Sequence, residues 1–108
     1  MALLTKAANV ENVTVAEDVI YTAGANKNTI IDSVMFANIH ASTETTITVR
    51  FVDDSAGVTV DLITDATLPI GSTLIISGLT LEPADSIRAL AGDANVVDAS
   101  IFMKELDQ

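Results

Sequence analysis

The sequence predicts an all-β domain, an antiparallel β-sandwich of jelly-roll or immunoglobulin-like type with about seven or eight strands. Three observations lead there. Val, Ile and Thr recur in short runs from residue 12 onward. Turn-forming residues interrupt those runs about every eight to twelve residues. No amphipathic stretch of helical period lies between them, which disfavours a layout of alternating strands and helices. At 108 residues the chain fits one domain with no room for two cores. It divides into residues 1–17, an N-terminal arm or edge segment, and residues 18–108, the sandwich.

Taken in order, Asn12 to Val15 suits a short edge strand or part of the arm, and Met1 to Asn9 is expected to be ordered only where a neighbour holds it. Asp18 to Thr22 reads as a strand stopped by the turn-rich Gly24 to Asn28. Thr29 to Ala41 has β-branched density too high for a helix. Neither parity of this stretch is cleanly apolar. Either both faces are covered, or a bulge reverses the phase midway.

Glu44 to Asp53 alternates, with Ile47, Val49 and Phe51 opposite Thr46, Thr48 and Arg50. Asp53 to Gly57 is a hairpin loop, with Gly57 suited to the left-handed conformation. The return strand, Val58 to Thr64, sets Val58, Val60 and Leu62 against Thr59 and Asp61. Leu68 to Gly71 makes a corner, because Pro69 has no amide for a central ladder. Strands follow over Ser72 to Ser77, Leu79 to Leu81, Ser86 to Leu90 and Val96 to Leu106. Glu82 to Asp85 turns between them, with the Asp85 side chain as its cap.

Composition narrows the function. Fifteen acidic residues face five Lys and Arg, a net charge of −10. Lys6, Lys27, Arg50, Arg88 and Lys104 are scattered singly, so neither nucleic acid nor anionic membrane is an expected partner. No residue is Cys, so disulfides and thiolate metal sites are out of reach. Hydrophobic residues make up 49% and mean hydropathy is +0.45, more than a small sandwich needs. The surplus predicts burial against sister subunits or another protein.

No catalytic, cofactor or metal site emerges. His40 is the only histidine and reads as a strand-end residue. Asp53 and Asp54 read as a solvated loop, without the burial or close pairing that general acid–base work needs. Calcium at Asp53, Asp54, Asp61 and Asp65 would be a weak site, since the spacing of known loops is missing. The glycines stand singly, so no phosphate-cradling loop is present. The interface candidates are Phe102, on the polar parity of its strand, its neighbour Val96, and Val34 and Phe36 from the two-faced stretch.

The punctuation also carries a resemblance. Val19 to Lys27 leads into Ile30-Ile31 and on to Phe36-Ala37-Asn38-Ile39, and Thr45 to Val49 continues in the same Thr/Val-rich manner. Leu68 to Leu74 forms a proline–glycine corner, and Leu79 to Ile87 a further turn with Ala84 where glycine is usual. This arrangement, over residues 18 to 105, resembles small structural proteins of tailed-bacteriophage virions, among them capsid decoration or cement proteins. The resemblance implies an antiparallel sandwich located in the virion after synthesis in the host cytoplasm.

The expectation is therefore a non-enzymatic capsid decoration protein that stabilises the head, a homo-oligomer and by preference a trimer, bound to the major capsid protein or other virion proteins. Alternatives are a tail, neck or baseplate component, or a receptor-binding module at a fibre tip.

Overall fold

The structure, a computed structural model, describes residues 3–107. Residues 1 and 2 of the expected arm, and residue 108 of the sandwich, lie outside the described residues. The strands are β1 (Leu3–Val10), β2 (Asp18–Thr22), β3 (Lys27–Asn38), β4 (Thr45–Asp53), β5 (Val58–Leu68), β6 (Thr73–Ile76), β7 (Leu79–Leu81), β8 (Ser86–Ala91) and β9 (Val97–Asp107). Sheet A runs β1–β9–β3–β6, with β7 also paired to β3; sheet B runs β2–β8–β4–β5. The fold is an antiparallel β-sandwich, as the sequence predicts.

The pairing narrows it further. The first strand joins the last, the second joins the eighth, and the fourth joins the fifth. The chain is thus a long antiparallel ribbon folded over so that successive segments alternate between sheets. With β9 also bonded to β3 and β8 to β4, the strand order is that of a jelly roll.

One N-terminal expectation is corrected and another is narrowed. β1 is an edge strand held by the chain's own far end, in unbroken register from Leu3↔Leu106 to Val10↔Ala99. It needs no neighbour to be ordered. Residues 12–15, in turn, form no strand. They cross between the sheets: the Val13 amide donates to the Val97 carbonyl at 2.7 Å, and the Thr14 carbonyl accepts from Ala91 at 3.0 Å. Val13 is fully buried at that crossing.

The mixed parity of β3 has a single cause. Its register against β9 shifts between Ile31 and Ser33, leaving Asp32 as an extra residue. Thr29 and Ile31 face the core before the bulge, and Val34, Phe36 and Asn38 after it. Sheet A contributes Ile31, Val34, Phe36, Ile101 and Met103 to the core; sheet B contributes Ile20, Ile47, Val49 and Ile87. Facing sheets about 10 Å apart need interlocking side chains of this size.

Polar groups close the ends of the sandwich. Buried Asn38 donates from Nδ2 to the Thr43 and Leu68 carbonyls, while its Oδ1 accepts from the His40 amide. Buried Asp85 accepts from the Asp54 amide on Oδ1 and from the Glu82 amide on Oδ2, both at 3.0 Å. It caps its own turn, as expected, and also pins the β4–β5 hairpin.

Candidate protein-interaction face

The two outer faces of the sandwich differ in kind. On sheet B, Arg50 and Arg88 are adjacent across β4 and β8 and are answered by carboxylates. Arg50 Nη1 lies 2.7 Å from Glu17, Arg50 Nε lies 2.9 Å from Asp61, and Arg88 lies 3.6 Å from Glu17. The Arg50 hydrogen bond holds the Asp61 carboxyl below the usual carboxylate range. The charged groups of this face are internally satisfied, although Val19, opposed to Arg88 in the same row, is exposed.

The outer face of sheet A is assembled from the residues that alternate with the core. Directly opposed residues on neighbouring antiparallel strands share a face, so the register defines it. Ala7, Phe102 and Ser33 form one row, and Asn9, Ser100, Met35 and Ile75 the next. Ile30 lies beside Lys104 and Thr80 on one flank, and Ala37 beside Asp98 and Thr73 on the other. Phe102 is 41% exposed and Ile75 59% exposed. Lys104 and Asp32 neutralise each other at 3.0 Å, and Asp98 accepts from the Asn12 amide at 2.8 Å. What remains is a mixed face, with Phe102, Met35, Ile75 and Ile30 set among Ser, Thr and Asn side chains and with Asp98 as its one charge not paired to a cation among the described residues.

This arrangement corrects three of the four interface candidates. Val34, Phe36 and Val96 are fully or almost fully buried in the protomer, so they have no surface to offer a neighbour. For Val34 and Phe36 the reason is the Asp32 bulge, which turns the even-numbered residues after it inward. Phe102 is where its parity places it, on the exterior. The residues that accompany it, Ile30, Met35 and Ile75, belong to strands 25 or more positions away in sequence, and only the register brings them together.

A second polar cluster ties the sheets together near the β1 edge. The Tyr21 hydroxyl on β2 donates to Glu105 Oε2 on β9. Lys6 Nζ on β1 donates to the Tyr21 hydroxyl at 3.3 Å, lies 3.4 Å from Glu105 Oε1, and sits 5.2 Å from the Tyr21 ring centroid. The Tyr21 hydrogen bond, followed by the charges of Lys6 and Lys27, holds the Glu105 carboxyl below its ordinary range. Burial, reinforced by the bond to Glu105, raises the Tyr21 phenol. The bond to Tyr21 is the main cause of the raised Lys6 ammonium.

The residues weighed for chemistry are used locally. His40 is exposed, and its Nδ1 accepts from the Ser42 and Thr43 amides at 3.1 Å. Asp53 accepts from Ser55 Oγ and the Ala56 amide inside the hairpin loop. Among the described residues, no three His, Asp or Glu side chains are grouped to hold a metal ion, and no pocket opens. Among the described residues, no helix is long and apolar enough to cross a membrane.

No protein-family model matches the chain, and no curated protein does. Among solved structures, it is similar to a chain from Bacillus endospore appendages, described as a novel family of disulfide-linked pili. The identity is 15%, the TM-score 0.50, and the match covers 95% of this chain and 85% of that one. At that identity the likeness is one of fold, and it extends over nearly the whole sandwich.

Proposed function

We infer that this chain is a non-enzymatic structural protein of a virion, a capsid-decorating subunit that joins sister copies and the shell beneath it. The observation that carries this reading is the outer face of sheet A, where Phe102, Met35, Ile30 and Ile75 lie together around one neutralised ion pair. Aromatic and Met side chains are enriched at protein interfaces, and unpaired charges are depleted at their centres. Specific interfaces bury about 800 Å² on each partner, which needs a face of several strands. The resemblance to phage virion proteins supports the location, and repeated docking on a lattice multiplies a modest affinity.

Electron cryo-microscopy of particles incubated with the purified chain tests the proposal. The expected image has density on the shell in regular array, with the outer face of sheet A turned inward to a subunit contact. Particles that stay bare would end the decoration reading. Density confined to a single ring at the neck or baseplate would move the protein there.

The fold likeness favours a second reading, a repeating subunit of an appendage or other filament. These 108 residues contain no Cys, so the disulfide links of that pilus family are closed to them and a filament would rest on non-covalent contacts. Negative-stain images of the concentrated protein decide it: filaments support this reading, and compact oligomers exclude it.

A further inference from the structure

The free margin of sheet B has a different character from the outer face of sheet A. β5 is the last strand of sheet B and is bonded to β4 on one side. Val60 opposes Phe51, and Phe51 opposes Ile87 of the core. Val60 is therefore on the core-facing side of the sheet, and Val58, two residues earlier, shares that side. Yet Val58 is 46% exposed and Val60 47% exposed. The sheets come closest where β2 meets β1 and β9, at the opposite margin. Sheet A leaves the start of β5 uncovered.

The same stretch has an edge fit for pairing. Val58 to Asp61 is in continuous register with Asp53 to Arg50; the breaks fall beyond, at Leu62 and around Asp65. Bulges, prolines and charges are the usual guards of an exposed edge. These four residues have no bulge or proline, and their one charge, Asp61, is paired with Arg50. The bulges at Leu62 and around Asp65 limit the open edge to this stretch. Their backbone groups and two valines form a ledge.

Charge identifies what would sit on it. Residues 51–87 contain six carboxylates, Asp53, Asp54, Asp61, Asp65, Glu82 and Asp85, and no Lys or Arg. Asp54 follows Asp53, the partner of Val58, at one end of the ledge, and Asp85 bonds the Asp54 amide together with that of Glu82 from the β8 side. The nearest cation, Arg50, is engaged by Asp61 and Glu17. A second copy of a chain with net charge −10 would be repelled from this end, and so would a phosphate polymer.

We propose that the ledge from Val58 to Asp61 accepts an extended, basic strand of another protein. The added strand continues sheet B by main-chain hydrogen bonds, lays alternate apolar side chains over Val58 and Val60, and directs Lys or Arg to the Asp54 and Glu82 end. The site is separate from the outer face of sheet A, and either can stand without the other.

Amide chemical-shift titration of the full chain with a short peptide alternating valine and lysine tests this, with the valine–glutamate peptide as control. Shifts should localise to Val58 to Asp61 and their β4 partners, and affinity should fall about tenfold between low and high salt. Val60→Glu, which adds to the acidity but removes the apolar ledge, should still lose about tenfold. The double variant Asp54→Asn, Glu82→Gln should weaken binding at low salt and leave it unchanged at high salt. All three positions are exposed, and retained spectral dispersion confirms folding. Equal binding of the glutamate peptide, shifts centred elsewhere, an unaffected Val60→Glu, or no shifts with the lysine peptide would each overturn the proposal.

Discussion

Tyr21 and Glu105 belong to opposite sheets, and the phenol of one donates directly to the carboxylate of the other. Lys6 closes the group from the edge strand β1. A carboxylate buried between the sheets is tolerable because it is bonded and faced by a cation. The bond also fixes how the two sheets sit at this margin.

Tyr21→Phe removes the only donor the opposite sheet supplies to Glu105 among the described residues. It should cost roughly 1–2 kcal/mol at neutral pH, measured by urea denaturation. The pH dependence follows from the lowered Glu105 value. Stability from this group is full above the unfolded carboxyl value of about 4.3 and is lost as pH falls through the lower folded value. Tyr21→Phe should flatten that acid limb. At the alkaline end, the contribution of Tyr21 holds below its unfolded value of about 10 and is lost as pH rises through the raised folded one. An acid limb identical in both proteins would refute the coupling.

Ala84 occupies left-handed backbone, with φ of 69°. A Cβ there costs about 1 kcal/mol that glycine avoids. Ala84→Gly should therefore raise stability by about that amount, somewhat offset by unfolded-chain entropy. Thermal unfolding checks it, and a lower midpoint would show that the turn does not need glycine.

Asp85 joins two turns through two backbone amides. Asp85→Ala leaves both donors without their acceptor and should cost about 2–3 kcal/mol, while Asp85→Asn, with one acceptor oxygen remaining, should cost less. Hydrogen exchange should speed first at the Asp54 and Glu82 amides. Unchanged exchange at both would contradict the bridge.

The Thr29 hydroxyl is buried without a hydrogen-bond partner among the described residues. Thr29→Val keeps the shape and removes the unsatisfied group, so it should gain about 1 kcal/mol in denaturant titration. A loss of similar size would indicate that the hydroxyl is bonded in solution.

Much of the sandwich is legible in the sequence, because strand period and turn chemistry are local. The β4–β5 hairpin announces itself through alternation on both sides of a loop closed by Gly57, which has φ of 66°. The Asp85 cap is readable for the same reason, whereas the awkward Ala84 is flagged by the resemblance alone. The bulge at Asp32 is visible as a conflict of parity, but its position is not, since one added residue anywhere in the stretch would mix the faces. Assigning Val34 and Phe36 to the exterior fails on that one-residue ambiguity.

β1 is invisible for a different reason. Its eight residues pair with a strand more than 80 positions away, and nothing in their own pattern names that partner. The interaction face suffers likewise. Phe102 stands out from its own strand by parity, whereas Ile30, Met35 and Ile75 become its neighbours only through long-range register. The uncovered valines of β5 depend on how the sheets diverge, which is a property of the packed whole.

The central claim is that the outer face of sheet A seals against sister copies, and sedimentation velocity over a wide concentration range tests it most directly. The wild-type chain should grow beyond its 11.3 kDa protomer as concentration rises. Phe102→Asp, at an exposed position, should hold it at the protomer mass with an unchanged circular dichroism spectrum. A wild-type chain that stays a single protomer at every concentration, or a Phe102→Asp variant that assembles equally well, would contradict the account.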